Sequence, residues 1–169
     1  MEFSELIEAR YSVRAYKPDP VEEEKLEYVL QAARLAPTAA NRQPFQIIVI
    51  RTADQQAGLR RIYRRAWFRS APLVIGVCSQ PKRAWSRKDG MSYHVVDATI
   101  AMDHLILAAA DVGLGTCWVG AFDPTAARET LELPEDVEPI AFTPLGYPAD
   151  SPKAKKRKPL EGLVRWERW

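Results

Sequence analysis

Apolar residues recur along this chain at two spacings, which predict a succession of helices and strands. Helices are predicted over residues 1–10, from 21 to the proline at 37, and over 54–65, 95–112 and 124–131. Short apolar runs predict strands over residues 46–50, 71–78, 116–119 and 137–145. Residues 80–90 are polar and are expected to form a loop. No internal repeat and no linker divides the chain, so we expect one domain over residues 1–169.

Two of these elements carry additional signals. The run at 71–78 is almost continuously apolar, which is typical of a strand covered on both faces. The long apolar helix ends where Gly113 and Gly115 follow it, in the manner of a glycine C-cap. The pattern therefore indicates a buried strand and a long buried helix.

The last part of the chain, residues 147–169, has a different composition. Prolines are interspersed among many lysines, so a packed helix is not expected and an extended arm is predicted. This arm carries Trp166 and Trp169, whose large rings are unfavourable in water. We therefore expect the arm to dock on another surface.

The composition indicates which kinds of molecule the protein is not expected to bind. Lysine plus arginine number 24 against 22 acidic residues, a net charge of +2, which does not suggest a nucleic-acid-binding protein. The basic residues are concentrated in two runs, at 60–69 and 153–158. There is no apolar leader and no run approaching the roughly 20 apolar residues of a membrane span. We expect a cytoplasmic protein without nucleic-acid or membrane partners.

The chain shows no familiar catalytic or metal-binding motif. Cys78 and Cys117 lie far apart in apolar runs and are expected to be buried, reduced thiols. His94 and His104 have no evident partner, and no metal-ligand spacing is present. No side chain is therefore nominated as catalytic and no metal site is expected. Such a chain often leaves the difficult chemistry to a cofactor.

Four segments are candidates for binding a ligand. In the first, RYSVR, an extended backbone would place Arg10, Ser12 and Arg14 on one side, where two guanidinium groups suit a phosphate. The fourth is the basic run at 153–158. Each also has an ordinary interpretation, a solvated basic turn for the first and a solvated charged tail for the fourth.

The other two segments suit a flat ring. PTAANRQP at 37–44 offers amide side chains that can match the donor and acceptor edge of a heterocycle. GLGTCWVGAF at 113–122 offers glycines that allow close backbone approach, although it is not the dinucleotide fingerprint. Taken alone, PTAANRQP could be a plain connecting loop, and GLGTCWVGAF could be a helix stop followed by a buried strand.

Taken together and in this order, the four segments resemble the nitroreductase family of flavoproteins. RYSVRAY resembles the family's R-x-S-x-R motif, and PTAANRQPF resembles its P-[ST]-x-x-N-x-Q-P-[WF] loop. GLGTCWVGAFD resembles the glycine-rich stretch after the central helix, and GYP followed by the basic run resembles the closing arm. The resemblance covers nearly the whole chain.

This resemblance implies an α+β fold, a three-layer α/β/α sandwich with a mixed, mainly antiparallel sheet. It also implies a homodimer with a domain-swapped C-terminal arm, residues 147–169, that packs on the partner subunit. The implied activity is that of an FMN-dependent oxidoreductase using NADH or NADPH. Donor and acceptor would exchange hydride through flavin N5 in a ping-pong cycle, with nitroaromatics, quinones or a related small molecule as acceptor.

The resemblance also assigns the FMN-binding positions. One subunit supplies groups for the phosphate and ring edge, the other supplies the loop at 37–43, and the glycine-rich stretch lies near N5. The residues are Arg10, Tyr11, Ser12, Arg14, Pro37, Thr38, Ala39, Asn41, Gln43, Val119, Gly120, Ala121, Lys155 and Arg157.

Three alternatives remain open. A related flavoprotein could dehalogenate its substrate or fragment its own flavin. A flavin-binding protein could serve storage or regulation without rapid turnover. In a different class, the two basic runs could bind a nucleic acid or another acidic partner, in which case affinity would fall steeply with salt.

Overall fold

The fold was described from a computed structural model, which covers residues 1–169. Five helices and four strands alternate along the chain. They are α1 (Phe3–Ala9), α2 (Glu23–Arg34), β1 (Phe45–Arg51), α3 (Gln56–Ile62), β2 (Leu73–Ser79), α4 (His94–Asp111), β3 (Gly115–Thr116), α5 (Pro124–Leu131) and β4 (Glu138–Gly146). Short 3-10 turns punctuate the connections.

The four strands form one sheet in the order β1-β2-β4-β3, and every neighbouring pair is antiparallel. All seven residues of β2 are buried, because this strand lies inside the sheet and is covered on both faces. A parallel bridge between Ser12 and Thr116 adds a short segment beside β3. The sheet is therefore mixed but mainly antiparallel, as expected.

Alternate residues of the central strands point to opposite faces, and each face has its own core. On one face Ile75 and Val77 pack with α2 and α4. On the other, Val74 and Phe142 pack with α3 and α5. Helices thus cover both faces of the sheet. The predicted three-layer α/β/α sandwich is confirmed.

The α3 region departs most from the predicted helix over residues 54–65. The helix ends at Ile62, and Tyr63 takes an extended conformation. That bend lets the Tyr63 ring pack edge-on against Trp67 and Phe68, with ring centroids 5.5 and 5.4 Å away. Tertiary packing of aromatic rings therefore overrides the local helical pattern.

The strand predicted over residues 116–119 is also interrupted. Pairing with β4 stops after Thr116, because the N–H of Cys117 donates to the side-chain oxygen of Thr143 at 2.9 Å. Contact with β4 resumes at Val119, which pairs with Phe142. The interruption frees the chain after Val119 to turn away from the sheet.

Only one of the two glycines predicted to stop α4 does so. Gly113 has φ of +77°, in the left-handed region that favours glycine. Gly115 instead lies in β3, where a Cβ atom would come within 2.7 Å of the Val13 side chain. Its role is close approach between two backbone segments.

The tail beyond residue 147 contains one 3-10 turn at Leu160–Gly162 and bends again near its end, where Glu167 has a left-handed φ of +62°. Its tryptophans lie uncovered by the chain, with Trp166 87% and Trp169 104% exposed. Among the helices, none has the length and apolar character required to cross a bilayer.

Candidate functional site

The RYSVR segment is held beside β3. The N–H of Val13 donates to the carbonyl of Thr116 at 2.9 Å, and the Val13 side chain is buried against Gly115. Because side chains alternate along an extended segment, Ser12 and Arg14 face away from this contact. The segment therefore presents polar and cationic groups on its outer side.

The beginning of the C-terminal arm runs along the other side of the same segment. The N–H of Lys17 donates to Tyr147 at 2.9 Å, and the N–H of Ala149 donates to Ala15 at 2.8 Å. These bonds extend the pairing that starts at the Tyr16–Pro148 bridge. Two segments some 130 residues apart in sequence are thereby locked together.

Asp150 fastens this junction. Its carboxylate accepts the backbone N–H of Arg14 at 2.8 Å and the Tyr11 hydroxyl at 3.2 Å, and the same hydroxyl donates to the Asp150 carbonyl at 2.7 Å. Sequence reasoning did not identify this residue, because its partners are distant in sequence. Tyr11, predicted to bind a cofactor, here serves to position the arm.

A cavity of about 310 Å³ opens where the two segments meet. Five of its nine lining residues are cations and one is an acid. The nine are Arg10, Tyr11, Ser12, Arg14, Asp150, Ser151, Lys153, Lys155 and Arg157. No ion pair neutralises any of the five cations, and the carboxylate of Asp150 is already occupied. The cavity therefore offers an uncompensated positive charge.

Lys155 lies at the edge of this cavity and is held by the main chain of α1. Its ammonium donates to the carbonyls of Ile7, at 3.1 Å, and Glu8, at the end of α1. Desolvation lowers the pKa of Lys155, and the nearby guanidinium groups of Arg10 and Arg157 lower it further. A bound anion would reverse the effect of those charges. Guanidinium groups that converge in this way fit a phosphate group.

The glycine-rich stretch supplies backbone donors. Gly120 and Ala121 are exposed, and neither backbone N–H has a hydrogen-bond partner within the chain. Val119 differs, because its side chain is buried and both its N–H and carbonyl pair with Phe142, at 2.8 and 3.0 Å. Its observed contacts fix the start of this loop to the sheet.

The loop at 37–44 has an unusual backbone. Ala40, Asn41 and Gln43 have φ of 51°, 53° and 49°, in the left-handed region that non-glycine residues seldom adopt. Within the loop, the Gln43 N–H donates to the Thr38 hydroxyl at 3.1 Å, and the Gln43 amide donates to the Asn41 side chain at 3.1 Å. The amide groups are thus pre-arranged on an exposed loop.

A buried carboxylate lies beneath this loop. Asp97, in the first turns of α4, is 1% exposed, and its Oδ1 accepts the N–H of Ala39 at 2.9 Å. Its Oδ2 is buried without a partner. Sequence analysis did not identify Asp97, although a single acid in an apolar helix is a usable signal.

His94 begins the same helix, and its Nδ1 shares a hydrogen bond of 2.9 Å with the Ser79 hydroxyl. The expectation that His94 has no partner is therefore wrong.

One chain does not bring the loop and the cationic cavity together. The loop contacts Asp97 near the start of α4, whereas Arg10 shares a small cavity with Ala110 near the end of that helix. At 1.5 Å per residue, these two points are about 20 Å apart along the helix axis. A ligand much shorter than this distance cannot contact both regions of one chain.

The two cysteines are buried and unpaired, as expected. Burial raises the pKa of Cys78 to about 11. Burial also raises the pKa of Cys117, although Arg14 nearby acts in the opposite direction. Both groups are therefore neutral thiols near pH 7.

The sequence matches a known protein family over most of its length. Residues 7–67 and 52–147 match the family model described as the nitroreductase family. The chain belongs to the nitroreductase family. The membership inferred from the four motifs is thereby confirmed.

Known nitroreductase-family structures and relatives agree with this fold. A nitroreductase family protein from Clostridium difficile 630 superposes with a TM-score of 0.92 at 39% identity, covering 100% of both chains. An FMN-dependent nitroreductase from Clostridium difficile R20291 has a TM-score of 0.83 at 25% identity over 97% of this chain and 98% of its own. The FMN reductase [NAD(P)H] of Bacillus subtilis is 28% identical over 173 residues, 92% of this chain and 70% of its own.

Proposed function

We propose that this nitroreductase-family chain is an FMN-dependent oxidoreductase that uses NADH or NADPH and works as a homodimer. The observation that carries the proposal is the cavity in which Arg10, Arg14, Lys155 and Arg157 converge without neutralising partners. Its expected cytoplasmic location stays a prediction.

The FMN phosphate is assigned to this cavity. Arg10, Arg14 and Arg157 supply planar guanidinium groups, which bind phosphate oxygens in pairs. Ser12 adds a hydroxyl donor, and Lys155 adds an ammonium whose position is fixed by the end of α1. Tyr11 contributes through its bonds to Asp150, which hold the arm against the RYSVR segment.

The flavin ring is assigned to the interface between two copies. The phosphate cavity and the loop at 37–44 are separated along α4 in one chain, so the loop reaching a given flavin belongs to the partner. Thr38, Asn41 and Gln43 offer polar groups for the heterocycle edge, and Pro37 and Ala39 offer small apolar contacts. Residues 147–155 of the arm hydrogen-bond to their own chain, contrary to the expectation for the whole arm, so the part proposed to pack on the same partner is residues 156–169.

The chemistry requires little from the side chains. When bound, FMN supplies the redox step by taking two electrons from NADH or NADPH and passing them to a second substrate. The free N–H groups of Gly120 and Ala121 are placed to orient the ring, with Val119 anchoring them to the sheet. The cationic groups favour anionic charge on whatever they bind. No side chain is assigned as a proton donor.

Donor and acceptor are proposed to use one cleft in turn, in a ping-pong cycle. The acceptor class is a nitroaromatic, a quinone or a related flat molecule. The names of relatives support flavin-dependent oxidoreduction with NADH or NADPH, since they include an FMN-dependent nitroreductase and an FMN reductase [NAD(P)H]. The choice between NADH and NADPH is part of the test.

The proposal is tested with purified full chain supplied with FMN. We expect a yellow dimer with one FMN per subunit, and oxidation of NADH or NADPH that depends on added menadione or nitrofurazone. Parallel double-reciprocal lines would support the shared cleft. A colourless chain that cannot be reconstituted with FMN would overturn the assignment. A yellow chain with no turnover would leave the flavin-binding alternative.

A further inference from the structure

Three arginines from α3 and the segment after it line a cavity that the proposed flavin site does not use. Arg60, Arg61 and Arg64 share this cavity with Asp123 and Thr125, at the start of α5. Its volume is about 740 Å³. Small-ligand sites usually span about 300–1,000 Å³, so the space is large enough for part of a nucleotide.

Two of the three guanidinium groups have no acidic partner in the chain. Arg60 and Arg64 form no ion pair. Arg61 differs, because it pairs with Glu129. Asp123 is the single acid in the lining, and its carboxylate caps α5 by accepting a backbone N–H at 3.0 Å. The cavity therefore keeps an excess of positive charge, and its guanidinium groups suit a phosphate.

The cavity adjoins the proposed flavin site from two directions. The N–H of Asp123 donates to the carbonyl of Ile62, the last residue of α3, at 2.9 Å. Gly120 is three residues before Asp123, a length of chain that spans at most about 11 Å. On the other side, Arg14 Cζ lies 5.8 Å from the ring of Trp67, in the 3-10 turn that follows α3. The backbone that carries the arginines thus lies next to groups proposed to hold FMN.

A hydride donor combines an anionic end with a ring that must meet the flavin. NADH and NADPH both carry the reactive nicotinamide at one end, an adenosine at the other and a pyrophosphate between them. NADPH has in addition a phosphate monoester on the adenosine ribose, a group that arginine side chains accommodate in other proteins. An arginine cavity beside a flavin site, yet outside it, matches this additional phosphate.

We propose that the cavity receives the 2′-phosphate of NADPH and that Arg60 and Arg64 select NADPH over NADH. The inference rests on the proposed function, because it assigns the electron donor of that same site. Arg60 and Arg64 bind the phosphate oxygens, while Arg61 keeps its pair with Glu129. Thr125 adds a hydroxyl in the first turn of α5, where the helix dipole favours an anion.

The first test compares the two donors in steady-state assays of the FMN-loaded full chain, with menadione as the acceptor. We expect kcat/KM for NADPH to exceed that for NADH at least about tenfold. Arg60→Ala and Arg64→Ala each remove one charge-assisted contact with the additional phosphate, so each should lower the ratio of the two values about tenfold. Arg51→Ala is the matched control, since Arg51 is exposed, forms no ion pair and does not line the cavity.

A second test measures binding without flavin chemistry. Calorimetric titration with adenosine 2′,5′-bisphosphate requires neither FMN nor turnover. We expect this bisphosphate to bind at least about tenfold more tightly than 5′-AMP, and Arg60→Glu with Arg64→Glu to abolish the difference. Inorganic phosphate should bind more weakly than the bisphosphate. Equal binding of the two would indicate a general anion site and would contradict the assignment.

The outcomes separate this donor site from the proposed function. Equal kcat/KM values for NADH and NADPH in a chain that holds FMN and turns over would overturn the donor site alone. An equal fall for both donors in the arginine variants would mean that the cavity binds the shared pyrophosphate, which also overturns it. A chain without flavin or turnover that still binds the bisphosphate through Arg60 and Arg64 would support the site and remove the proposed function.

Discussion

The carboxylate of Asp97 accepts the backbone N–H of Ala39 at 2.9 Å, which joins the central helix α4 to the loop at 37–44. The loop holds three non-glycine residues with positive φ, so its conformation requires support from outside. Asp97 is the buried group that supplies part of that support. It is a positioning residue in the proposed site, since its contact is with the loop.

Replacing Asp97 should therefore loosen the loop. Asp97→Ala leaves the Ala39 N–H without its acceptor, a loss of about 1–3 kcal/mol when such a donor is buried. We expect FMN binding to weaken about tenfold, as measured by fluorescence titration. Asp97→Asn keeps an oxygen acceptor and should recover most of the affinity. Asp103→Ala, an exposed change on the same helix, is the control. Equal affinities for Asp97→Ala and the natural chain would contradict this role.

The proposed phosphate site, the cavity lined by Arg14 and Arg157, leads to a second prediction. Arg14→Ala combined with Arg157→Ala removes two charge-assisted contacts, and we expect FMN affinity to fall by at least about two orders of magnitude. The melting temperature should change little, because Arg14 and Arg157 are exposed and form no ion pair. Arg60→Ala with Arg64→Ala removes equal charge elsewhere. Ordinary flavin retention in the first variant would show that the phosphate is bound at another place.

Close packing of Gly115 against Val13 gives a third prediction. A Cβ atom at Gly115 would lie 2.7 Å from the Val13 side chain, so Gly115→Ala should destabilise the fold by about 1–3 kcal/mol. The same change in a Val13→Ala background should cost much less, because the space is then free. Chemical denaturation of the four proteins completes the cycle. Additive losses would mean that the two residues do not interact.

Burial of Cys78 predicts a dependence of stability on pH. The pKa of its thiol is raised to about 11 in the folded chain, so the folded state holds the proton over a range where the unfolded state releases it. The free energy of unfolding should therefore fall as pH rises from about 9 to 11, by up to about 3 kcal/mol from this group. Cys78→Ala should reduce the slope in denaturation curves. An unchanged slope would show that the thiol does not contribute.

Local patterns were sufficient for elements with long apolar runs. The strand β2 and the helix α4 were predicted within two residues, since their apolar runs respond directly to coverage by neighbouring layers. The family motifs also named four of the five cations that line the cavity beside the RYSVR segment. Each of these signals lies within a short stretch of sequence.

Features formed by distant partners were not predictable in this way. Asp150 and the Ser79–His94 pair acquire their roles only when remote segments meet. The left-handed backbone at Ala40, Asn41 and Gln43 could not be predicted, because none of these residues is a glycine. Contacts such as that between Thr38 and Gln43 stabilise it instead. The end of α3 at Ile62 likewise depends on aromatic packing of Tyr63.

The junction between the RYSVR segment and the start of the arm has a consequence for biosynthesis. Tyr11 and Asp150 are separated by 139 positions, so a nascent polypeptide has the first half of the junction long before the second. Contacts of such long sequence separation form late in folding. The cavity that Arg157 completes should therefore be absent from a nascent chain that lacks the residues around 157, and such a chain should not hold the flavin phosphate at the proposed site.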